Sequence, residues 1–364
     1  MSGEFIEIIY RVKTAAAALA ERTEALLLEQ TVELPRPALR TAFVRDHLVG
    51  HVVATEPIDE NEFRVTLAQP TAATAHDPAQ FLNLLFGNSS LQPDVELEDV
   101  RVPDSLARAL GGPRFGLAGW RQLTGVHGRA LTASALKPMG LSVSETAELC
   151  RTFALAGIDV VKDDHGLADH AFCPFAGRVR ACLAATAGTR TLYVPNLIGP
   201  PATVLRQAQQ ARELGARAAM VSPMLLGLPF LHELAREAGV PLLAHPSFGG
   251  AQRIAPAALL GKLFPLFGAD AVIFPNVGGR FSYGPGVCAA IAQSLRSPAA
   301  PLAPALPVPA GGMKTDRVAA TLEFYGADTM LLIGGGLLES PDAATLLARS
   351  RRFVEAVQTF PYRA

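Results

Sequence analysis

Gly157-Ile158-Asp159-Val160-Val161-Lys162-Asp163-Asp164-His165 is the stretch that decides the fold. The glycine follows a helix-compatible run, Ser142–Ala156, and suits the left-handed position just past a helix end. A short β-branched run follows, and it stops at four polar or charged residues. The same helix-end punctuation recurs at Leu214-Gly215, Ala238-Gly239, Phe267-Gly268 and Tyr325-Gly326. Strand candidates are Leu131–Leu136, Asp159–Val161, Thr191–Val194, Ala216–Val221, Pro241–Ala244, Ala271–Phe274, Leu306–Pro309 and Thr329–Ile333. Each is followed by a helix-compatible stretch, such as Ala255–Phe267. Eight such units in roughly 250 residues are what a closed TIM (β/α)₈ barrel needs. An open doubly wound sheet is the competing arrangement, and the eight even units rank it second. The fold class is α/β, with the barrel assigned to residues 113–364.

Outward from the barrel, residues 1–112 read as a smaller α+β domain, because strands and helices mix there without regular alternation. Phe5–Val12 alternates as a strand should, and a helix ends near Gln30. Thr41–Val53, Asn61–Leu67 and Val95–Val102 supply further strand-like runs, and Ala79–Phe86 a second helix. Leu110-Gly111-Gly112-Pro113 marks the boundary.

The 364 residues are 49% hydrophobic and 18% charged, so a large core is expected. With a net charge of -1 and no basic stripe, nucleic acid is not an expected partner. No apolar run is long enough to span a membrane, and Met1–Tyr10 lacks a basic signal-peptide start. Cys150, Cys173, Cys182 and Cys288 form no C-x-x-C pair and read as reduced thiols of a cytoplasmic protein.

A TIM barrel builds its active site just beyond the C-terminal ends of its strands. That rule selects Lys137, Lys162-Asp163-Asp164-His165, Asn196, Ser222, His245, Asn276, Gly311-Gly312 and Gly334-Gly335-Gly336. A lysine at the end of a buried strand is costly unless it is neutralised or used. A salt bridge to its carboxylate neighbours and a divalent-metal site both account for it. The two glycine loops follow the last two strands, where barrels bind phosphate through backbone N–H groups. A tight turn also calls for glycine, but two adjacent loops favour phosphate. Arg280 and Lys314 are the nearby cations.

Several segments resemble the RuBisCO large chain: Leu136-Lys137-Pro138-Met139-Gly140-Leu141, Gly157 to Asp164, Phe86-Gly87-Asn88, and Leu97 to Pro103. Leu259-Leu260-Gly261-Lys262, Ala310-Gly311-Gly312 and Ile333 to Gly336 are similar to later segments. Ala244-His245-Pro246 and Phe274-Pro275 look closest to the RuBisCO-like proteins, the form IV branch. The match is collinear along nearly the whole chain. It implies a ferredoxin-like N-terminal domain and a head-to-tail homodimer with shared active sites. It also implies a Lys162 carbamate formed with CO2, holding Mg2+ together with Asp164. Asn88 would reach the metal and substrate of the other subunit.

Four departures from the family pattern argue against CO2 fixation. His165 stands where the family has a metal-binding Glu, and an imidazole there permits a softer divalent ion. Met139 replaces a second active-site lysine. The loop Asn276 to Arg280 lacks the lysine that holds added CO2. Pro246 replaces a phosphate-binding arginine. Asn88 occupies the place of the lysine base of the methionine-salvage enolases.

The expected activity is therefore on a phosphorylated keto-sugar or oxo-sugar acid through an enediolate. Lys137, Lys162, His245 and Asn88 are the catalytic candidates, and Lys162, Asp164 and His165 the metal candidates. Decarboxylation or C–C cleavage, as of 3-oxo-isoapionate 4-phosphate, is the first expectation because the enolase base is missing. Isomerisation or enolisation of a methylthio-sugar phosphate is the second. A retired site that binds a metabolite without turnover is the third.

Overall fold

The computed structural model describes residues 3–281, 283–299 and 301–362. The N-terminal sheet contains β1 (Phe5–Lys13), β2 (His51–Asp59), β3 (Glu62–Pro70) and β4 (Val95–Arg101), in the spatial order β2-β3-β1-β4. All its pairings are antiparallel. Helices α1 (Leu19–Thr31) and α3 (Pro78–Phe86) make the two crossovers, which gives the ferredoxin-like arrangement. The strand expected over Thr41–Val53 is in part a helix, α2 (Ala42–His47), and the strand starts only at His51. The Thr41 hydroxyl accepts from the Val44 N–H and caps this helix. Local capping thus overrides the β-propensity of the threonine and valines.

The barrel strands are β5 (Leu131–Leu136), β6 (Val160–Asp163), β7 (Leu192–Val194), β8 (Asn196–Leu197), β9 (Ala219–Val221), β10 (Leu242–Ala244), β11 (Ala271–Pro275), β12 (Leu306–Ala310) and β13 (Met330–Leu332). β7 and β8 are one stave interrupted at Pro195, so nine segments make eight staves. The pairings are parallel, and β13 closes onto β5. The ladder also breaks between β12 and β13, for a reason visible in the sequence. Leu306 N–H donates to Asp270 on the β11 side, so positions 307 and 309 turn their nitrogens toward β13. Both are prolines and have nothing to donate. The Thr329 hydroxyl bonds the Pro307 carbonyl across this seam at 3.1 Å.

Inside the staves, Leu131, Val160, Val194, Met220, Leu243, Ile273, Val308 and Met330 fill the barrel, and Trp120 joins them. The outer core lies between staves and helices and runs on into the N-terminal sheet, where the Phe81 and Phe267 rings meet with centroids 6.1 Å apart. A Lys262–Asp99 ion pair at 2.6 Å adds to that join. The helix expected over Ala255–Phe267 is divided by a π-turn at Leu259–Leu263. Pro265 cannot donate to Gly261, so the ladder slips by one residue there. All four cysteines are buried and free. Among the described residues, no helix is long and apolar enough to cross a membrane.

Candidate active site

One cavity of about 710 Å³ opens at the C-terminal end of the barrel staves. It is lined by Lys137, Lys162, Asp164, His165, His245, Arg280, Gly311, Gly312, Lys314, Gly334, Gly335 and Gly336. Every candidate from the barrel's catalytic, phosphate and metal sets therefore faces one space. Asn88 does not line it. Asn88 is exposed on the N-terminal domain and donates to Glu29 Oε1 at 3.0 Å.

The Lys162-Asp163-Asp164-His165 run divides its roles by strand alternation. Lys162 and Asp164 face the cavity, whereas Asp163 points to the opposite side of the stave. There the Asp163 carboxylate accepts from Arg178 Nε (2.9 Å), Tyr193 OH (2.7 Å) and Asn196 N–H (3.0 Å). Both members of the Asp163–Arg178 ion pair are fully buried. A salt bridge of Lys162 to a neighbouring carboxylate is not what forms: its ammonium donates to the Asp163 backbone carbonyl at 2.9 Å. Burial pushes the Lys162 pKa down to about 8, the positive Lys137 adds to this, and Asp164 and Asp163 oppose it.

Asp164 Oδ1 lies 2.7 Å from Lys137 Nζ and 3.3 Å from His165 Nδ1. The lysine contact is an ion pair without hydrogen-bond alignment, since this buried oxygen has no geometrically satisfied donor. Burial alone would raise the Asp164 pKa; the close His165 and Lys137 and the charge of Lys162 outweigh it, so the group stays ionised. Across the cavity the His245 ring lies on the His165 ring, with centroids 4.1 Å apart and planes at 10°. Burial, with Lys162 close by, drives the His245 pKa down to about 2, so this ring is neutral.

A buried lysine amine beside an under-bonded carboxylate oxygen fits the carbamate and carboxylate pair with which a hard Mg2+ ion is held. Such ions take one or two anionic oxygens and keep several waters. His165 fits less well as a third ligand, because its Nδ1 faces Asp164 and its ring is stacked. Among the described residues, no three His, Cys, Asp or Glu side chains converge as a metal cluster.

The glycine loops are sterically required in part. A Cβ on Gly312 would meet Arg280 N at 2.7 Å, and one on Gly336 would meet Met313 O at 2.7 Å. Gly335 differs: a Cβ there meets nothing within 4 Å. Gly335→Val should therefore fill the cavity without disturbing the backbone, raising KM for a phosphorylated substrate about tenfold or more. Gly286→Val, at an equally open surface position, should leave KM unchanged. Equal effects at both positions would count against a phosphate site.

Several residues that the strand-end rule does not select complete the cavity. Its wall around β10 and β11 is apolar, built from Leu259, Leu260, Ile273 and Phe274. At its lip stand Phe248 (63% exposed) and Phe281 (49% exposed). Phe248 holds φ of 66°, a left-handed conformation that a bulky residue seldom adopts. Of the other strand-end candidates, Asn196 donates to the His165 and Leu167 carbonyls and so pins the loop. Asn276 lines a separate cavity behind Gly312. Met139 is exposed beside Gly166, outside the cavity lining.

Residues 116–256 match the family model for the ribulose bisphosphate carboxylase large chain, catalytic domain. The chain is 48% identical to ribulose bisphosphate carboxylase-like protein 1 of Rhodopseudomonas palustris, over 94% of this chain and 95% of that one. It belongs to the RuBisCO-like proteins. A crystal structure of a RuBisCO-like protein from Rhodopseudomonas palustris superposes on it with a TM-score of 0.90, at 42% identity and full coverage of both chains. This RuBisCO-like protein is also 44% identical to the 5-methylthioribulose-1-phosphate isomerase of Rhodospirillum rubrum, over 92% of each chain.

Proposed function

We propose that this RuBisCO-like protein isomerises a phosphorylated methylthio-sugar, of the class that its Rhodospirillum rubrum relative is named for. The observation that carries the reading is the division of the cavity into two sectors. One sector holds Lys137, Lys162, Asp164, Lys314 and the glycine loops, with Arg280 from the loop after β11 packed against Gly312; the other is the apolar wall of Leu259, Leu260, Ile273 and Phe274, with Phe248 at the lip. A substrate with phosphate at one end and a thioether at the other matches that division. Aromatic edges make favourable contacts with sulfur. The decarboxylation or C–C cleavage expected first from the sequence gains no such support, and the isomerase alternative takes its place.

Isomerisation through an enediolate moves a proton from the carbon beside a carbonyl onto the carbonyl carbon, while a second proton passes between the two oxygens, with no net change of atoms. Lys137 reaches both halves of the polar sector. It pairs with Asp164, and its Cε lies 3.9 Å from where a Cβ on Gly334 would stand. In this reading Lys137 carries the proton at Nζ, and the glycine loops with Arg280 and Lys314 hold the phosphate. Mg2+, held by a Lys162 carbamate and Asp164, would supply positive charge to the enediolate oxygens. The deciding experiment uses 5-methylthioribulose 1-phosphate in D2O, followed by proton and phosphorus NMR. An isomeric ketose phosphate carrying solvent deuterium is the expected product. Release of CO2 from an oxo-sugar acid phosphate, with no isomerisation, would return the lyase reading.

We also propose that the active unit is a homodimer, because Asn88 lies outside its own chain's cavity. Mixing Asn88→Ala subunits with Lys137→Ala subunits should recover up to about a quarter of wild-type activity, since random pairing makes half the dimers hybrid and each hybrid has one intact site of two. No recovery after demonstrated subunit exchange would sink the shared site.

A further inference from the structure

We propose that Ser247 is a positioning residue that fixes His245 as an Nε2–H hydrogen-bond donor aimed at the substrate oxygen. The geometry is specific. Two groups approach His245 Nδ1: the Ser247 backbone N–H at 3.2 Å and the Ser247 hydroxyl at 2.8 Å. A backbone N–H can only donate, so Nδ1 must be the acceptor nitrogen. The single proton of the neutral ring therefore resides on Nε2. With Nδ1 filled by two donors, the hydroxyl must also present its hydrogen, and the ring is held in both tautomer and rotation.

The other ring nitrogen has no hydrogen-bond partner among the described residues, and His245 lines the cavity. The flat stack on His165 fixes the ring plane. The turn that brings Ser247 under the ring is closed by Gly249 N–H to Pro246 O at 2.9 Å, and it contains the left-handed Phe248. Backbone strain of this kind persists only where the surroundings hold it in place.

This assignment rests on the enediolate reading, in which charge builds on a substrate oxygen. A neutral imidazole N–H suits that role, because it stabilises the oxyanion without surrendering its proton. The proton stays on Nε2 throughout. His245, which lines the cavity, would be the catalytic residue, and Ser247 would act through it.

The test begins without substrate. Nitrogen-15 NMR of the histidine-labelled, full-length protein should show His245 with a protonated Nε2 and an acceptor Nδ1. Ser247→Ala keeps the backbone N–H but removes the shorter bond, so the ring should loosen, its nitrogen-15 signals shift and broaden, and kcat fall about tenfold with KM little changed. Ser247→Thr, which keeps the hydroxyl, should restore both the signal and kcat. A wild-type ring protonated at Nδ1 would overturn the assignment. So would a Ser247→Ala protein with unchanged ring signals and unchanged kcat. Because the ring signals are read without turnover, failure of the isomerase reading leaves the Ser247 assignment standing or falling on its own.

Discussion

Lys162→Met should remove turnover, lowering kcat/KM by roughly 10³-fold or more, while the protein stays folded. The side chain is 2% exposed and has a single hydrogen bond, to a backbone carbonyl. Methionine fills a similar volume without burying an amine, so the structural cost is small. The chemical cost is large because Lys162 sits beside Asp164 at the polar end of the cavity. Activity and far-UV circular dichroism, measured on the same preparation, separate the two effects. More than a tenth of wild-type activity in a folded Lys162→Met protein would end the assignment.

The same lysine sets a pH dependence. Only the neutral amine adds CO2, and the Lys162 pKa is lowered to about 8. Below pH 8 the group is mostly ammonium and carbamate formation is slow. Through pH 8 the amine is freed, so at a fixed concentration of dissolved CO2 with Mg2+ the rate of activation should rise and then level off. Wild-type activity that is complete in chelator and bicarbonate-free buffer would show that Lys162 works as a free amine. The cavity and its phosphate loops would be unaffected by that outcome.

The largest loss of stability is expected from Arg178→Met, about 3–5 kcal/mol by urea denaturation. Asp163 and Arg178 are both fully buried, and removing the guanidinium leaves a buried carboxylate charge without its counterion. Tyr193 and the Asn196 N–H still donate to it, but neither carries charge. Adding Asp163→Asn to Arg178→Met should recover part of the loss, because the orphaned charge is gone. A loss below about 1 kcal/mol in the single variant would show that the pair contributes little. The pair matters to function because Asp163 separates Lys162 from Asp164 along the chain. Anchoring it behind the stave fixes how its two neighbours enter the cavity.

How much of this was legible beforehand differs by element. The barrel strands were found within a few residues because a buried parallel strand is a short apolar run, and the following turn uses glycine and polar residues. Thr41–Val53 misled because the hydrogen bond that decides it, from Val44 N–H to the Thr41 hydroxyl, is local and competes with a β-branched composition. In the site, the strand-end rule located Lys137, Lys162, Asp164, His165, His245 and both glycine loops, and the structure brings these into one cavity. The partner of Asp163 was not legible. Arg178 lies fifteen residues on, in a helix, and nothing in the local pattern marks it out from other helix arginines.

By itself, then, the sequence determined the eight-fold alternation, the polar strand ends and the collinear family motifs. These are written in local periodicity, and local periodicity survives without knowledge of the packing. The tertiary structure alone decided that Asp163 belongs to Arg178 rather than Lys162. It likewise decided that His165 lies flat on His245, that Ser247 orders the His245 ring, and that one wall of the cavity is apolar. The His165–His245 stack and the apolar wall depend on different staves meeting at the barrel mouth, and the Asp163–Arg178 pair on a helix packing behind its stave. Such meetings are set by stave closure and by the side of the strand each residue takes; the Ser247 contact is local, but the left-handed turn at Phe248 that makes it is not written in residue type.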